Sequence, residues 1–499
     1  MKLSLVLPAL LVLSALSGCS DMDVPQPANS VREVDLDPAA VDTVRKPENP
    51  ISPDVTAVSD VLCDNRDVWG MCVCPALEPP DFSYKAPVVE SVLPDQQFPD
   101  LTAALEASKD YQVKRTAMIA AGDAQSYFEF TCIPPAPEVI LGRAALITTY
   151  ILDPDRYEKF PVQTRGRMYS ANFGATGRTA LTIYDITGDM DALDLVIAAS
   201  DRLLATQNTA FGTVDYAEGR VMPGWAVEVD GVIFNEVMAN GVTVLPMLDL
   251  LLMAEADEVI AARLGPRRRD AWIADIRKIL MQFDATRRDE QDFTYFVEPH
   301  KPGDSVEAWN HMSAYGAALV KYAALTGDEE VRALASRIVK FYHLSAEKHA
   351  NGTVSWPYTP QPGAWRGLGE GVWKGSVSIE LPFAAWQHDM GVSDEDITRV
   401  ARILTRNVFL EDGRIDRGLA PGHTIDLESV PDGLVSMMAT WQLLSCFDEE
   451  ITPLIQRYAA NRMKFLDRGY LNSTRQSVWS LALWQEKRAE GCPLSALPG

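Results

Sequence analysis

The stretch Gly177-Arg-Thr-Ala-Leu-Thr-Ile-Tyr-Asp-Ile-Thr-Gly188-Asp189 returns in related form as Gly316-Ala-Ala-Leu-Val-Lys-Tyr-Ala-Ala-Leu-Thr-Gly327-Asp328. Gly327 follows Gly188 after 139 residues, and in both copies an apolar segment ends in Thr-Gly-Asp and a charged segment begins. Glycine suits the left-handed position that ends a helix, and aspartate suits the first turn of the next helix. The repeat therefore predicts two helical hairpins, each an apolar helix followed by an amphipathic one.

The chain from about residue 100 onward extends this alternation. Helices that are apolar nearly all round must be buried on every side, whereas helices with one charged face belong on the outside. The apolar segments are Asn172 to Ile186, Val237 to Ala254, Met312 to Leu325 and Gly433 to Cys446. The amphipathic segments are Asp189 to Ala205, Pro266 to Asp284, Asp328 to His349, Ser393 to Arg406 and Asp448 to Arg468.

Two further pairs, 100–121 with 136–152 and 375–390 with 393–406, bring the total to about twelve helices in six hairpins. This count predicts an all-α fold, an (α/α)6 toroid with inner and outer helices. A solenoid of helical hairpins is the structural alternative, although its repeats are usually shorter and more regular. Short strand-like insertions at 226–234, around Asp230-Gly231, and at 292–297 are expected to form hairpins over one end of the ring.

Composition and charge exclude several classes of function. The chain has 499 residues and a net charge of -24, and such an acidic surface repels phosphate backbones and anionic lipids. After the N-terminus no apolar run is long enough to span a bilayer. The sequence lacks a phosphate-binding glycine loop, a nucleophile-elbow serine and a His-x-x-x-His pair. We therefore expect no nucleic-acid partner and no metal or other cofactor.

The N-terminus has the pattern of an export signal. Lys2 precedes an apolar stretch over 3–16, and Leu16-Ser17-Gly18-Cys19 resembles the bacterial lipobox. The resemblance implies removal of residues 1–18 and lipidation of Cys19, with an ordinary cleaved signal as the alternative. Ser20 stands where aspartate is associated with inner-membrane retention. We expect a lipid anchor in the outer membrane, facing the periplasm or the cell surface, and no other contact with the membrane.

Three segments follow the signal. Residues 19–60 are rich in proline and acidic residues and predict a flexible tether. Residues 61–99 form an irregular, cysteine-containing segment expected to pack on the toroid domain of 100–499. Besides Cys19 the chain has six cysteines, an even number that predicts disulfides in an exported protein and leaves 15 possible pairings open. A metal site at Cys72 and Cys74 is disfavoured because no histidine lies near them.

The helix pattern over 100–490 resembles that of the (α/α) toroid carbohydrate-active enzymes, which include alginate-lyase-like and heparinase-like polysaccharide lyases and unsaturated uronyl hydrolases. The most specific part is Trp309-Asn310-His311-Met312-Ser313-Ala314-Tyr315-Gly316, followed by Trp356-Pro357-Tyr358. By this likeness Asn310 would neutralise a uronate carboxylate, and His311 or a tyrosine would remove the C5 proton. The tyrosine and arginine partners of the family have no residue-by-residue match here.

The residues themselves support a site at this point. Asp304 and Glu307 have the spacing of a capping box that would begin a helix near Ser305 and place 309–311 at the rim of the ring. His311 and Tyr315 are four residues apart, on one helix face. β-Elimination needs a base, an acid and donors that neutralise the carboxylate, so His311, Tyr315 and Asn310 are the catalytic candidates. In the alternative reading both aromatic side chains belong to the core.

A second group of residues is predicted to bind substrate. The segment around 356–373 combines aromatic residues with prolines and glycines, the composition of a loop, and exposed aromatic faces suit sugar rings. The aromatic candidates are Trp309, Trp356, Tyr358, Trp365 and Trp373. The cationic candidates, which would pair with a uronate, are Arg366, Lys374, Arg165 and Arg167. Alternatively, the tryptophans cover the helix ends beneath them.

Three functions remain open. The leading hypothesis is a polysaccharide lyase that cleaves a uronate-containing glycan by β-elimination. The negative net charge opposes a polyanionic substrate and favours a glycoside hydrolase, whose two carboxylates would come from Glu307, Glu370, Glu236 and Asp215. A glycan-binding lipoprotein without catalytic activity is the third. In each case the expected partner is a polysaccharide or oligosaccharide.

Overall fold

A computed structural model describes residues 99–122, 126, 137–153, 161–162, 165–301, 303, 305–362, 369–409, 418–421, 438–451 and 454. The predictions for the signal, Cys19, the tether and the segment 61–99 lie outside these residues. Of the six cysteines expected to form disulfides, Cys446 alone falls within them. The described chain is mostly helical with a few short strands, which confirms the all-α class.

The helices, numbered along the chain, are α1 Pro99–Ala121, α2 Pro137–Leu152, α3 Arg165–Tyr169, α4 Ala175–Thr187, α5 Met190–Ala205, α6 Asn208–Phe211, α7 Val237–Ala256, α8 Glu258–Leu264, α9 Pro266–Leu280, α10 Trp309–Thr326, α11 Glu329–Ser345, α12 Val372–Ser378, α13 Glu380–Gln387 and α14 Asp394–Ile403. A π-helical turn, Ser170–Gly174, joins α3 to α4, and another, Leu404–Val408, extends α14. The strands are β1 Ala226–Val229, β2 Val232–Asn235, β3 Arg287–Asp289, β4 Thr294–Phe296, β5 Glu347–Lys348 and β6 Val354–Ser355.

Both copies of the repeat form the predicted hairpin. Gly188 and Gly327 end their helices with φ of 67° and 68°, a left-handed conformation that glycine adopts without strain. Asp189 caps α5 by accepting a hydrogen bond from the backbone of Asp191, and Asp328 caps α11 in the same way. Each Thr-Gly-Asp therefore makes the same corner between two helices.

The burial of the helices follows their composition. α4, α7, α10 and α13 pack in succession, α4 on α7, α7 on α10 and α10 on α13. The amphipathic helices α5, α11 and α14 pack on α4, α10 and α13, and α9 packs on α7. The buried row thus has an outer layer of charged helices. Within the described residues only α7 is long and apolar enough to cross a membrane, and nearly all of it is buried in the protein.

The charges that interrupt the buried helices pair with one another. Arg178 of α4 donates from Nε to Asp249 of α7 at 2.7 Å and from Nη1 to Glu380 of α13 at 2.5 Å. Lys321 of α10 binds the second oxygen of Asp249. Burial by itself raises the pKa of Asp249, but Lys321 and Arg178 outweigh it and hold that pKa below its ordinary value. We call these four residues the core charge network.

Short hairpins precede two of the buried helices. β1 and β2 pair antiparallel around Asp230 and Gly231, which have φ of 51° and 79°, and β2 ends two residues before α7. β3 pairs with β4, and the chain reaches α10 after an isolated bridge between Val297 and Val306. Both insertions expected from the sequence are confirmed, and both lead into the N-terminal end of a buried helix.

Two local predictions are wrong. The helix expected to begin near Ser305 begins at Trp309, with Ala308 in the capping position and no side-chain cap. Asp304, the other residue of the predicted capping box, lies outside the described residues, and the Glu307 carboxylate binds His311. Within the apolar segment 433–446, the described part over Met438–Leu444 is a 3-10 helix rather than an α-helix.

Candidate functional site

The candidate site is a cluster of two glutamates and a histidine at the N-terminal ends of α7 and α10. Glu236 immediately precedes α7, Glu307 lies two residues before α10, and His311 lies in the first turn of α10. The Nδ1 atom of His311 lies 2.6 Å from Oε1 of Glu307 and 3.9 Å from Oε1 of Glu236. These two oxygens can be no farther apart than the sum of those distances, 6.5 Å. We call the three residues the carboxylate-imidazole cluster.

The cluster is buried except at the imidazole. The side chains of Glu236 and Glu307 are 8% and 5% exposed, whereas that of His311 is 20% exposed. Burial lowers the pKa of His311, but Glu307 and Glu236 raise it more, to about 9. The ring is therefore an imidazolium at neutral pH and donates its Nδ1 proton to Glu307.

Glu236 differs from its neighbour because burial favours its neutral form. Burial raises the pKa of the Glu236 carboxyl above its ordinary value, and the positive charges of His311 and Arg167 only partly offset this rise. A second carboxyl, Glu298, also has a raised pKa through burial, although Lys301 binds it. The carboxyls of Glu236 and Glu298 therefore keep their protons to a higher pH than an ordinary glutamate does.

Glu370 is the most deeply buried carboxyl near the cluster. Its side chain is fully buried, its Oε2 accepts a hydrogen bond from Nε1 of Trp356, and its Oε1 has no hydrogen-bond partner among the described residues. Burial raises the pKa of Glu370 to about 7, while Ser378, Trp356, Lys374 and His311 act in the opposite direction. A substantial fraction of the protein molecules therefore carries Glu370 as a neutral acid at physiological pH.

The other two predicted catalytic residues, Asn310 and Tyr315, have partners different from those of His311. Asn310 is buried beside Met238, and its Oδ1 has no hydrogen-bond partner among the described residues. The phenol of Tyr315 donates to the backbone oxygen of Leu280, and its ring packs edge-on against Phe283. Within the described part of the chain no side-chain hydrogen bond joins Tyr315 to His311. The environment of Tyr315 is that of a core residue, as the alternative reading expects.

The aromatic prediction requires a correction. Trp309 and Trp356 are 0% and 1% exposed, so neither presents a face to a sugar. Both rings pack on Tyr342 near the C-terminal end of α11, with Trp309 stacked on it and Trp356 edge-on to it. Tyr358 is partly buried, and the ammonium of Lys374 lies 3.9 Å from its ring centroid. Trp365, Arg366 and the side chain of Trp373 lie outside the described residues.

The two arginines before α4 have different surroundings. Arg165 is buried, and its guanidinium lies 4.2 Å from the ring centroid of Phe211. Arg167 is exposed and near enough to Glu236 to lower the pKa of that carboxyl. Of the predicted cationic residues it is therefore Arg167 that the structure brings to the carboxylate-imidazole cluster.

Three of the four predicted carboxylates lie near His311, and the fourth does not. Glu236, Glu307 and Glu370 are all within electrostatic reach of His311. Asp215 instead accepts hydrogen bonds from the backbone of Ala217, Glu218 and Asn235, and so stabilises a turn. Sequence reasoning missed Glu298. Its position directly after the predicted strand 292–297, on the chain leading to the rim helix, was the available signal.

A carboxylate and a carboxyl with raised pKa, both within reach of one imidazolium, can act as a base or nucleophile and an acid on the same bond. In the described part of the chain no group of three His, Cys, Asp or Glu side chains is placed to hold a metal ion. No protein-family model matches this chain, and no curated protein matches it.

Proposed function

We propose that this protein is a glycoside hydrolase whose working carboxyls are Glu236 and Glu307. The observation that supports it is their shared contact with Nδ1 of His311, at 3.9 Å and 2.6 Å. Glycoside hydrolysis generally uses one carboxylic acid to protonate the leaving oxygen and one carboxylate as nucleophile or base. Glu236, whose pKa burial raises, is the acid, and Glu307 beside the imidazolium is the carboxylate.

His311 acts in this proposal as a positioning residue. Its protonated ring donates to Glu307 and so fixes the orientation of that side chain. An imidazolium with a pKa of about 9 cannot remove a proton at neutral pH, which disfavours His311 as the base of a β-elimination. The imidazolium is also paired with Glu307, so its charge is already engaged and does not offer a site for a substrate uronate.

The ring of helices and the lipid anchor would place this site in the fold and in the cell. The succession α4, α7, α10 and α13 with its outer helices is what four hairpins of an (α/α)6 toroid would give, and we propose that the chain closes into such a ring. The site then lies at the end where the buried helices begin. With Cys19 lipidated, the enzyme would act at the outer membrane on a polysaccharide.

The test is a product assay on the full-length lipoprotein in detergent. The protein is incubated with neutral and uronic-acid polysaccharides, and both new reducing ends and the ultraviolet absorbance of a 4,5-unsaturated product are followed. We expect reducing ends without that absorbance. The absorbance would replace hydrolysis with β-elimination, and the absence of both products from every glycan would overturn the proposal of an enzyme.

Variants then connect the activity to the cluster. Glu307→Gln and Glu236→Gln should each lower turnover by roughly 10²- to 10⁴-fold, the usual effect of removing a general acid or base. Glu255→Gln is the matched control because Glu255 is an exposed carboxylate on α7, the helix that Glu236 precedes. All three variants should keep the wild-type circular dichroism spectrum. Full activity of Glu307→Gln would exclude the proposed pair.

A further inference from the structure

The segment between α5 and β1 exposes two aromatic rings. Phe211 is 47% exposed and Tyr216 is 63% exposed, and they are the only aromatic residues among the large hydrophobic side chains exposed in the described chain. No hydrogen bond engages the Tyr216 hydroxyl within that part of the chain. Exposed aromatic rings on a fixed backbone usually indicate a binding surface, because burying them elsewhere would be favourable.

Tyr216 stands on a turn that is fixed beside the site. Its backbone N–H donates to the oxygen of Ile233 at 2.9 Å, and Oδ2 of Asp215 accepts from the backbone of Asn235 at 2.6 Å. Ile233 and Asn235 belong to β2, and the residue after Asn235 is Glu236. The turn that carries Tyr216 is therefore hydrogen-bonded to the residues that lead directly into the carboxylate-imidazole cluster.

Phe211 is connected to the same end of the molecule through the arginines. The guanidinium of Arg165 lies 4.2 Å from the centroid of the Phe211 ring. Arg165 is two residues before Arg167, whose charge acts on Glu236. Phe211 and Tyr216 thus lie on one segment that contacts Arg165 at one point and is hydrogen-bonded to β2, the strand before Glu236, at the other.

We propose that Phe211 and Tyr216 form a platform that stacks on a pyranose ring of the glycan whose bond lies at Glu236 and Glu307. This inference rests on the proposed function and adds a binding subsite to it. A pyranose ring presents a face of C–H groups that an aromatic ring covers, and a rigid aromatic side chain loses little conformational entropy on binding. The platform takes the role that the sequence assigned to Trp309 and Trp356, which are buried.

Affinity electrophoresis tests the platform without requiring turnover. The full-length lipoprotein, in neutral detergent, migrates through native gels that each contain one soluble polysaccharide of the product screen, and retardation measures binding. Tyr216→Ala and Phe211→Ala should each weaken retardation by roughly five- to tenfold in apparent Kd, as expected for about 1 kcal/mol of ring stacking. Tyr216→Phe keeps the ring and should bind like the wild type.

The control is Val259→Ala, which also removes an exposed apolar side chain. Val259 is 55% exposed and lies beyond the far end of α7 from Glu236, roughly 30 Å away for a helix of this length. Wild-type retardation of both alanine variants at Phe211 and Tyr216 would overturn the platform, even if hydrolysis is confirmed. No retardation of the wild type by any glycan that it cleaves would overturn it as well. Weakened retardation without cleavage by the wild type would support the platform and refute the hydrolase.

Discussion

His311 shows how a neighbouring charge decides the role of a residue. The motif around residues 309–316 indicates a histidine that removes a proton. Its contacts with Glu307 and Glu236 instead keep the ring protonated, with a pKa of about 9. The residue that the sequence singles out as a base therefore acts as the cation that orders two carboxyls.

The His311 ion pair should have a recognisable pH dependence. A histidine whose folded pKa is raised from 6.5 to about 9 stabilises the fold fully below pH 6.5, and this contribution disappears as the pH rises through 9. We expect the difference in free energy of unfolding between wild type and His311→Gln to shrink between pH 7 and pH 10, by about 3 kcal/mol at most. Urea unfolding at a series of pH values measures it. A difference that stays constant over that range would contradict the ion pair.

Glu370, in contrast to the stabilising His311, should lower the free energy of unfolding of the protein at neutral and alkaline pH. Burial raises its pKa from 4.5 to about 7, so the folded state binds the proton more tightly and loses stability as the pH rises from 4.5 through 7. Glu370→Gln removes this penalty, and its stability relative to wild type should increase between pH 5 and pH 8 by about 3 kcal/mol. Glu347→Gln, at an exposed carboxylate, is the control and should show no such change. Equal pH profiles for Glu370→Gln and wild type would show that Glu370 ionises normally.

The site could be predicted only in part, because the contact of His311 with Glu236 joins distant segments and its contact with Glu307 competes with a local alternative. The sequence placed His311 at the start of a buried helix and named Glu236, Glu307 and Glu370 among candidate carboxylates. It did not predict that Glu307 would bind His311, because the capping-box spacing offered that side chain a local partner. It also paired Tyr315 with His311 from their helical spacing, whereas the phenol extends to Leu280 on another helix.

At the scale of elements, composition predicted more than it did for single residues. The alternation of apolar and amphipathic segments located α4, α5, α7, α9, α10, α11 and α14 within a few residues, because burial on all sides requires an apolar circumference. It did not predict the short helices α6 and α8, and it predicted α12 and α13 as one helix. Thr-Gly-Asp located two helix ends because glycine and aspartate satisfy the backbone at such corners. The π-turns at 170–174 and 404–408 have no such local signal.

The core charge network offers a test of how the buried helices are held together. Asp249→Asn removes the carboxylate that Arg178 and Lys321 share and leaves buried positive charge unpaired. We expect a loss of about 3–5 kcal/mol in the free energy of unfolding. Glu255→Gln, on the same helix but in an exposed pair with Arg269, should cost at most about 1 kcal/mol. Equal losses in urea unfolding would show that burial of the network has no consequence.

At the scale of the molecule, the sequence alone gives the net charge and predicts the lipid anchor. A net charge of -24 favours a neutral glycan over a polyanionic one. The closed ring and the lipid anchor stay predictions, since the residues that would test them lie outside the described part of the chain.

Lipidation can be tested independently of activity. Cells expressing the wild-type chain should incorporate labelled palmitate into the protein, and Cys19→Ala should abolish the label and prevent cleavage by the lipoprotein signal peptidase. Ser30→Ala, within the predicted tether, is a control that keeps both the signal and the other six cysteines intact. Unlabelled wild-type protein would show that residues 1–18 are an ordinary export signal.

The core charge network also determines how the protein melts. Its members come from four helices that span positions 178 to 380, so no neighbouring pair of hairpins contains all the partners that its buried charges need. A solenoid can lose its terminal repeats one at a time, because each repeat contacts only its neighbours. Here the departure of α13 would remove Glu380 and leave two buried cations, Arg178 and Lys321, to share the single carboxylate of Asp249, and that penalty couples hairpins far apart in the chain. The buried helices should therefore unfold together in one cooperative transition.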